Sequence, residues 1–219
     1  MKTSPLHGWE ISPADAIQLQ KELVPLVRER RLARPPRVIA GADCGLDVEN
    51  VRIHAGVILF SYPELKELER RRATLPLAFS YVSGLLSFRE CPALLKAFSL
   101  LSRKPDVVMF DGQGRAHPRR LGLACHMGLW LGIPSFGCAK SRLTGRFVPP
   151  GRKRGSVSPL TDKGETIGAV VRTRDGCNPV FVSAGHLITL AEAVEITLHC
   201  AVAGRIPLPT READRWLRG

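Results

Sequence analysis

The sequence predicts an α/β fold in which one mixed β-sheet carries helices on both faces. Three successive apolar segments between residues 34 and 75 are typical of neighbouring strands in a meander. Two short apolar runs, at 106–110 and 133–139, flank a segment with helical spacing, which indicates a parallel crossover. A chain of 219 residues can bury one full core, so we expect a single domain over residues 1–219.

Capping and alternation signals define the first elements. Ser12 before Pro13 predicts the start of a helix, and Pro25 is expected to kink it. The segments RPPRVIAGAD, VRIHAGVILF and LKELERRRATL are then expected as strands, and the charges of the third favour a position near the edge of the sheet.

Helices and strands alternate in the middle of the chain. Periodic apolar residues predict a helix over 91–101, and DVVMF predicts a short buried strand. A second helix is expected over 119–132, with a glycine at its end, before the strand IPSFGCA. The basic stretch 149–164 is expected to be a long mobile loop.

The last elements are a hairpin and two helices. The runs ETIGAVVRT and NPVFVSAG are expected to pair around the Asp-Gly turn at 175–176. Thr189 and Glu192 form a capping box ahead of the helical segment LAEAVEITLHCAVAG, and Thr210 is expected to cap a short last helix.

Composition favours a polyanionic partner. Lys plus Arg outnumber Asp plus Glu by 32 to 20, which gives a net charge of +12 and a pI near 10. The six cysteines stand singly, without the spacing of a zinc site, and fit a reducing compartment. No segment has the roughly 20 apolar residues of a membrane helix or the apolar centre of a signal peptide. We therefore expect a cytoplasmic protein with no membrane association, and a monomer.

Two acidic residues are candidates for metal ligands. Asp43 lies at or near the end of VIAGA, and Asp111 directly follows VVMF. Neighbouring carboxylates repel each other unless a cation lies between them, and paired oxygen ligands favour magnesium or manganese. Gly112 and Gly114 would let the backbone approach a ligand closely. Spacing alone leaves open that both acids are turn residues.

Other candidates have structural alternatives that the sequence leaves open. Glu90 could form a capping box with Ser87, and His117 could be a turn residue held by the next proline. Lys140 could be solvated, or it could share a sheet edge with Asp111. Tyr81 could be an exposed loop residue or an aromatic face for an unpaired base.

Six segments in the right order resemble the endonuclease V family, from about residue 37 to the C-terminus. They are VIAGAD, SYVSGLLSFRE, DGQGRAHPRRLGLACHMGL, PSFGCAK, FVSAGHLITLAEA and PLPTREAD, of which the third is the most specific. The resemblance implies a ribonuclease H-like fold. It also implies repair of deaminated bases by magnesium-dependent cutting, typically at the second phosphodiester bond 3′ to inosine, with manganese as a substitute ion.

The resemblance also implies roles for individual residues. Asp43, Glu90 and Asp111 match the metal-binding carboxylates of the family, which favours a catalytic role for Glu90 over capping. Lys140 would lie beside the scissile phosphate, and His117 would orient a water molecule or a phosphate. Asp214 occupies a position from which a further carboxylate could aid the metal site.

Recognition of the base is expected to depend on a wedge loop and a backbone-lined pocket. In the family resemblance, Tyr81 stands at the tip of a wedge that fills the gap left by an extruded base. Prolines are common in the family where Ser80 and Ser83 stand here, so we expect a looser loop. The residues expected to line the base pocket are Gly84, Leu86, Gly112 and Gly137.

Arginines near Asp111 are expected to bind phosphates. They are Arg115, Arg119 and Arg120, joined by the basic residues at 152–154. The expected partner is DNA with deaminated bases, and inosine-containing RNA is a further candidate. Two alternatives remain, namely a ribonuclease H-like nuclease of the resolvase type with a structure-specific substrate, and a non-catalytic nucleic-acid-binding protein.

Overall fold

The structure is a computed structural model that describes residues 5–219. Its elements run in the order α1 (Pro13–Leu23), β1 (Val38–Asp47), β2 (Arg52–Ser61), β3 (Glu67–Pro76), α2 (Leu86–Ser99), β4 (Val107–Phe110), α3 (Leu123–Leu131), β5 (Ser135–Ala139), β6 (Val157–Asp162), β7 (Glu165–Val171), β8 (Val180–His186), α4 (Leu190–Cys200) and α5 (Leu208–Arg218). Among the described residues, no helix is long and apolar enough to cross a membrane.

Eight strands form one mixed sheet in the order β3-β2-β1-β4-β5-β8-β7-β6. The central strands β1, β4 and β5 are parallel, whereas the other neighbours are antiparallel. Ala42 of β1 is in register with Phe110 of β4, which in turn is in register with Gly137 of β5. The carboxyl ends of the three parallel strands therefore meet at one edge of the sheet, as the crossover pattern predicts.

Helices cover both faces of the sheet, which confirms the predicted layers. On one face, α2 and α3 pack against alternate residues of the central strands, such as Ala40, Val108 and Phe110. On the other face, α4 and α5 pack against the residues of opposite parity, such as Ile39 and Met109. Alternation along each strand gives each face its own apolar core.

Several helix boundaries differ from the prediction. Pro25 does not kink α1, because the helix ends at Leu23 and continues only as a 3₁₀ turn. Helix α2 begins five residues before the predicted start, at Leu86, and tolerates Pro92 in its interior. Residues 119–122 belong to the loop before α3 rather than to the helix.

The C-terminal half contains a strand that composition does not reveal. The sequence predicts a long mobile loop over residues 149–164, but Val157–Asp162 form the edge strand β6, which pairs with β7. A proline within β6 is compatible with this position, because an edge strand can lack a donor. Helix α5 begins at Leu208, so Thr210 lies in its first turn and is not the cap.

His126 is a buried histidine of α3 that joins the N-terminal segment to the core. Its Nδ1 lies 3.0 Å from Ser87 Oγ, and its Nε2 lies 2.8 Å from His7 Nε2. Trp9 packs beside it, stacked on Trp130 with ring centroids 5.1 Å apart. Burial and then His7 lower the pKa of His126 to about 3, so the ring is neutral in the folded protein.

We predict that His126 contributes a decrease in the free energy of unfolding as the pH falls from about 6.5 towards 3. In this window the unfolded chain binds a proton at His126 that the folded chain does not, so acid favours unfolding. The cost is at most about 1.4 kcal/mol per pH unit for one such group. Urea unfolding at successive pH values measures the slope, which His126→Asn should flatten and the exposed control His199→Asn should not. An equal slope in all three proteins would contradict the prediction.

Candidate active site

Charged side chains gather where the three parallel strands end. Asp43 lies in β1, Asp111 follows β4 and Lys140 follows β5. Lys140 Nζ lies 2.5 Å from Asp111 Oδ2 and 3.6 Å from Asp214 Oδ2. Asp214 belongs to α5 and also accepts a hydrogen bond of 2.9 Å from Arg218 Nε. The fold thus brings residues from distant parts of the chain to one point on the sheet edge.

Glu90 approaches this cluster from α2. The helix has no side-chain cap at its start, and Ser87 Oγ is directed at His126 instead. The capping-box interpretation of Glu90 is therefore wrong. Glu90 lies one turn into the helix, where the carboxylates of Asp43 and Asp111 act on it electrostatically.

Burial and mutual repulsion make this cluster of carboxylates costly to ionise. Burial, followed by the charge of Asp111, raises the pKa of Asp43 to about 8. Burial, followed by the charge of Asp43, raises the pKa of Glu90 to about 8. Burial also raises the pKa of Asp111, against the hydrogen bond from Lys140. A positive charge placed among these groups would relieve the repulsion.

The donor chemistry of the cluster fits a hard divalent cation. As the side chains stand, no three His, Cys, Asp or Glu residues within the described part of the chain are grouped closely enough to hold a metal ion. Nevertheless, four carboxylates share this edge, and carboxylate oxygens are the preferred ligands of magnesium and manganese. The ammonium group of Lys140 supplies the counter-charge in this arrangement.

A cavity of about 320 Å³ opens beside the cluster. Of the predicted pocket residues, Tyr81, Gly84, Leu86 and Gly112 line it. The sequence analysis did not identify several other residues that line the cavity. They are Gln113, 121–123 and 141–143, which come shortly after Asp111, Arg120 and Lys140 in the chain. Their position directly after predicted site residues was the signal that could have found them. The volume lies in the range of small-molecule sites.

His117 is buried beneath the cavity and is engaged at both ring nitrogens. Its Nε2 donates to the carbonyl oxygen of Gly84 at 3.0 Å, and its Nδ1 accepts from the backbone N–H of Arg119 at 3.1 Å. Burial and then the charge of Arg119 lower the pKa of His117 to about 4. The predicted orientation of water or phosphate by this ring would require one of these bonds to open.

The arginines expected to bind phosphates are largely engaged inside the protein. Arg115 pairs with Glu165 at 2.7 Å, and Arg120 pairs with both Glu165 and Asp162 at 2.8 Å. Arg119 donates to two neutral oxygen atoms, the Gln20 side-chain oxygen and the Gly84 carbonyl oxygen. Two of the three arginines, Arg115 and Arg120, therefore neutralise the acids of the β6–β7 turn, which composition alone could not indicate.

Gly137 was predicted to line the base pocket, but it does not line the cavity. A Cβ atom at this position would lie 2.3 Å from Gly112 O and 2.7 Å from Gly114 N. Gly137 therefore lets the loop after β4 pack directly against β5, behind the cavity wall. Its role is close backbone packing.

The sequence places this arrangement among known proteins. A sequence model of the family described as Endonuclease V matches residues 19–215. The chain belongs to the endonuclease V family. An Endonuclease V from Methanothrix thermoacetophila is 45% identical over 213 residues, which cover 97% of this chain and 94% of that protein. One from Xanthomonas campestris is 46% identical over 209 residues, which cover 95% and 89%.

Solved endonuclease V structures have the same fold. The protein from Streptomyces avermitilis superposes with a TM-score of 0.92 at 37% identity, covering 96% of this chain and 93% of that one. The protein from Ciona intestinalis superposes with a TM-score of 0.80 at 26% identity, covering 94% and 95%, and its structure is a complex with a 24mer DNA containing an inosine followed by a ribo-adenosine. These likenesses confirm the ribonuclease H-like α/β fold, and the family makes the chain a nuclease.

We predict that Gly137→Ala destabilises the protein by about 1–3 kcal/mol, because its Cβ would overlap backbone atoms that cannot rotate away. Gly8→Ala is the matched control, since nothing lies within 4 Å of its Cβ position. Thermal and urea unfolding measure the difference. Equal stability of the two variants would refute the packing role of Gly137.

Proposed function

We propose that this protein is a metal-dependent endonuclease of deaminated-base repair that cuts a strand at the second phosphodiester bond 3′ to inosine. The observation that most strongly supports this proposal is a cluster of four carboxylates and one lysine at the edge of a base-sized cavity. Family membership and the inosine-containing DNA bound by the Ciona relative support the substrate class. The whole chain is proposed to act as one catalytic domain in the cytoplasm.

Asp43, Glu90 and Asp111 would hold the cation, which we propose to be magnesium with manganese as a substitute. When bound, the cation supplies Lewis-acid stabilisation of the charge that develops on the phosphate. The three carboxylates contribute its binding charge, and their raised pKa values mean that cation binding must compete with protons. Asp214 lies 3.6 Å from Lys140 Nζ, and its charge also acts on Asp43 and Asp111, so it would adjust this site both through the lysine and directly.

Lys140 is proposed to act on the scissile phosphate. Its side chain is 40% exposed although its ammonium group touches Asp111, so it can reach a strand lying across the edge. Burial acts to lower its pKa, but the hydrogen bond to Asp111 and the negative charges of Asp111, Asp43 and Asp214 together raise it. Lys140 therefore keeps its proton and can stabilise negative charge on the phosphate oxygen atoms.

The cavity is proposed to receive the extruded base. Gly84, Leu86 and Gly112 line it, and a backbone N–H group among them would distinguish a carbonyl from an amino group on a purine. Tyr81 stands at its mouth, 69% exposed, with the Arg89 guanidinium 5.9 Å from its ring centroid. An exposed aromatic side chain here can fill the space that a flipped base leaves in the duplex.

The net charge of +12 supports binding along a phosphate backbone. Since Arg115 and Arg120 are paired with acids, exposed basic residues such as Arg152 and Lys153 are better placed to contribute. A resolvase-type nuclease would share the carboxylates but would not need a base-sized cavity. Branched DNA without inosine therefore serves as the control substrate.

We predict that Asp111→Asn abolishes cutting of a DNA strand with a single inosine but preserves its binding. The substitution removes a ligand charge with little change of volume, which should cost at least about 10³-fold in rate. Mapping the cut on end-labelled DNA and RNA, alongside a binding assay, measures both properties. Asp175→Asn is the matched control, because its Oδ1 can still accept from the Arg154 N–H. Turnover by Asp111→Asn in magnesium would refute the assignment.

We also predict that magnesium raises the melting temperature, and more strongly at pH 8 than at pH 6. Without a cation, ionisation of Asp43 and Glu90 costs stability as the pH rises towards their folded pKa of about 8. Bound cation offsets that cost, adding about 2.7 kcal/mol at a concentration of 100 times its dissociation constant. The shift is the difference between the melting temperature in a magnesium salt and the melting temperature in a calcium-free potassium salt of equal ionic strength. A shift that persists in Asp111→Asn would place the ion elsewhere.

A further inference from the structure

The carbonyl oxygen of Gly84 is held by donors from two distant segments. It accepts from Gln20 Nε2 at 3.0 Å, His117 Nε2 at 3.0 Å and Arg119 Nη2 at 2.8 Å. Gln20 belongs to α1, whereas the other two residues lie in the loop after β4. A carbonyl oxygen has two lone pairs, so three donors leave no acceptor capacity for solvent.

Gln20 is the residue that joins these segments. It is fully buried, and its second amide N–H donates to the carbonyl oxygen of Leu121 at 3.2 Å. Its own Oε1 accepts from Arg119 Nε at 2.5 Å. Within residues 5–219, Arg119 has no carboxylate partner in an ion pair, and its guanidinium group is directed at neutral oxygen atoms. The amide therefore fixes the loop, the guanidinium group and α1 relative to one another.

Gly84 closes the loop that carries Tyr81. The residue has φ +78°, and a Cβ here would lie 2.7 Å from Arg119 Nη2, so glycine permits both the turn and the contact. The loop forms a turn bond of 2.9 Å from Leu85 N–H to Val82 O. At its base, Phe79 and Leu85 are buried in a cluster with Ala16 of α1. The N-terminal helix thus supports this loop by both apolar and polar contacts.

We propose that Gln20 and Arg119 are positioning residues that fix the Gly84 carbonyl and so hold the Tyr81 loop at the mouth of the cavity. This inference rests on the proposed function, in which the Tyr81 loop displaces a base from a duplex. A base in a duplex must be unstacked and unpaired, whereas a base in a single strand has little or no such cost. Loosening the loop therefore slows the cutting of a duplex more than the cutting of a single strand.

A phosphate-binding role for Arg119 makes a different prediction. Loss of a phosphate contact would weaken binding of both substrates and reduce the salt dependence of binding. Gln20 is uncharged and buried, so its replacement tests positioning without removing a cation. Gln20→Met keeps a side chain of similar length but removes the donors and the acceptor. Gln18→Met, at an exposed position of the same helix, is the matched control.

Hydrogen exchange of the free protein tests the anchoring without any substrate. We expect the amides of Val82–Leu85 to exchange about tenfold faster in Gln20→Met than in the wild type, because the loop opens more often. Gln18→Met should leave them unchanged. Equal exchange in wild type and Gln20→Met would overturn the proposal, whatever the enzyme cuts.

Single-turnover cutting tests the consequence for recognition. We expect the ratio of duplex to single-strand rates, for strands with one inosine, to fall about tenfold in Gln20→Met. Taking a ratio cancels any loss of folded enzyme, which would slow both substrates equally. Arg119→Lys should lower the ratio in the same direction, since lysine cannot bridge Gly84 and Gln20. An unchanged ratio in both variants would overturn the positioning role. A wild type that cuts neither inosine strand would instead refute the proposed function, and hydrogen exchange would still decide the anchoring.

Discussion

The structure depends on the concentration of negative charge at one edge of a sheet. Two parallel strands deliver Asp43 and Asp111 to that edge, and helix α2 adds Glu90. Burial makes each charge more expensive and raises the pKa values of these carboxyl groups, so their full ionisation at neutral pH requires a compensating cation. Lys140 meets part of this requirement by pairing with Asp111, and a divalent cation would meet the rest.

Cations near the site have two different uses. Lys140 remains partly exposed at the cluster, where it can meet a phosphate. Arg115 and Arg120 neutralise Glu165 and Asp162, which tie the β6–β7 turn to the loop after β4. Arg119 instead holds the Gly84 carbonyl. These three arginines are therefore mainly engaged inside the protein, and the proposed binding of nucleic acid would have to depend on other basic residues.

Local patterns predicted the elements that carry the site. The apolar run before Asp111 and the run before Lys140 are β4 and β5, and the meander before them gives β1–β3. The capping box at Thr189 is present at the start of α4. Failures occurred where a tertiary contact outweighs local preference. The clearest cases are β6, which forms against β7 despite its proline, and the first turn of α2, which buries Ser87 on His126.

By itself, the sequence determined the helices and every strand except β6, the acids at strand ends, and the family resemblance that joins them. These features are local in the chain, because apolar alternation, caps and turns involve residues only a few positions apart. Tertiary structure alone decided which groups each side chain meets. Gln20 contacts Gly84 and Leu121, which lie 64 and 101 positions away, and no spacing rule connects them. The fold brings such residues together because their apolar neighbours are buried with them. Each buried polar group then needs a hydrogen-bond partner inside the protein.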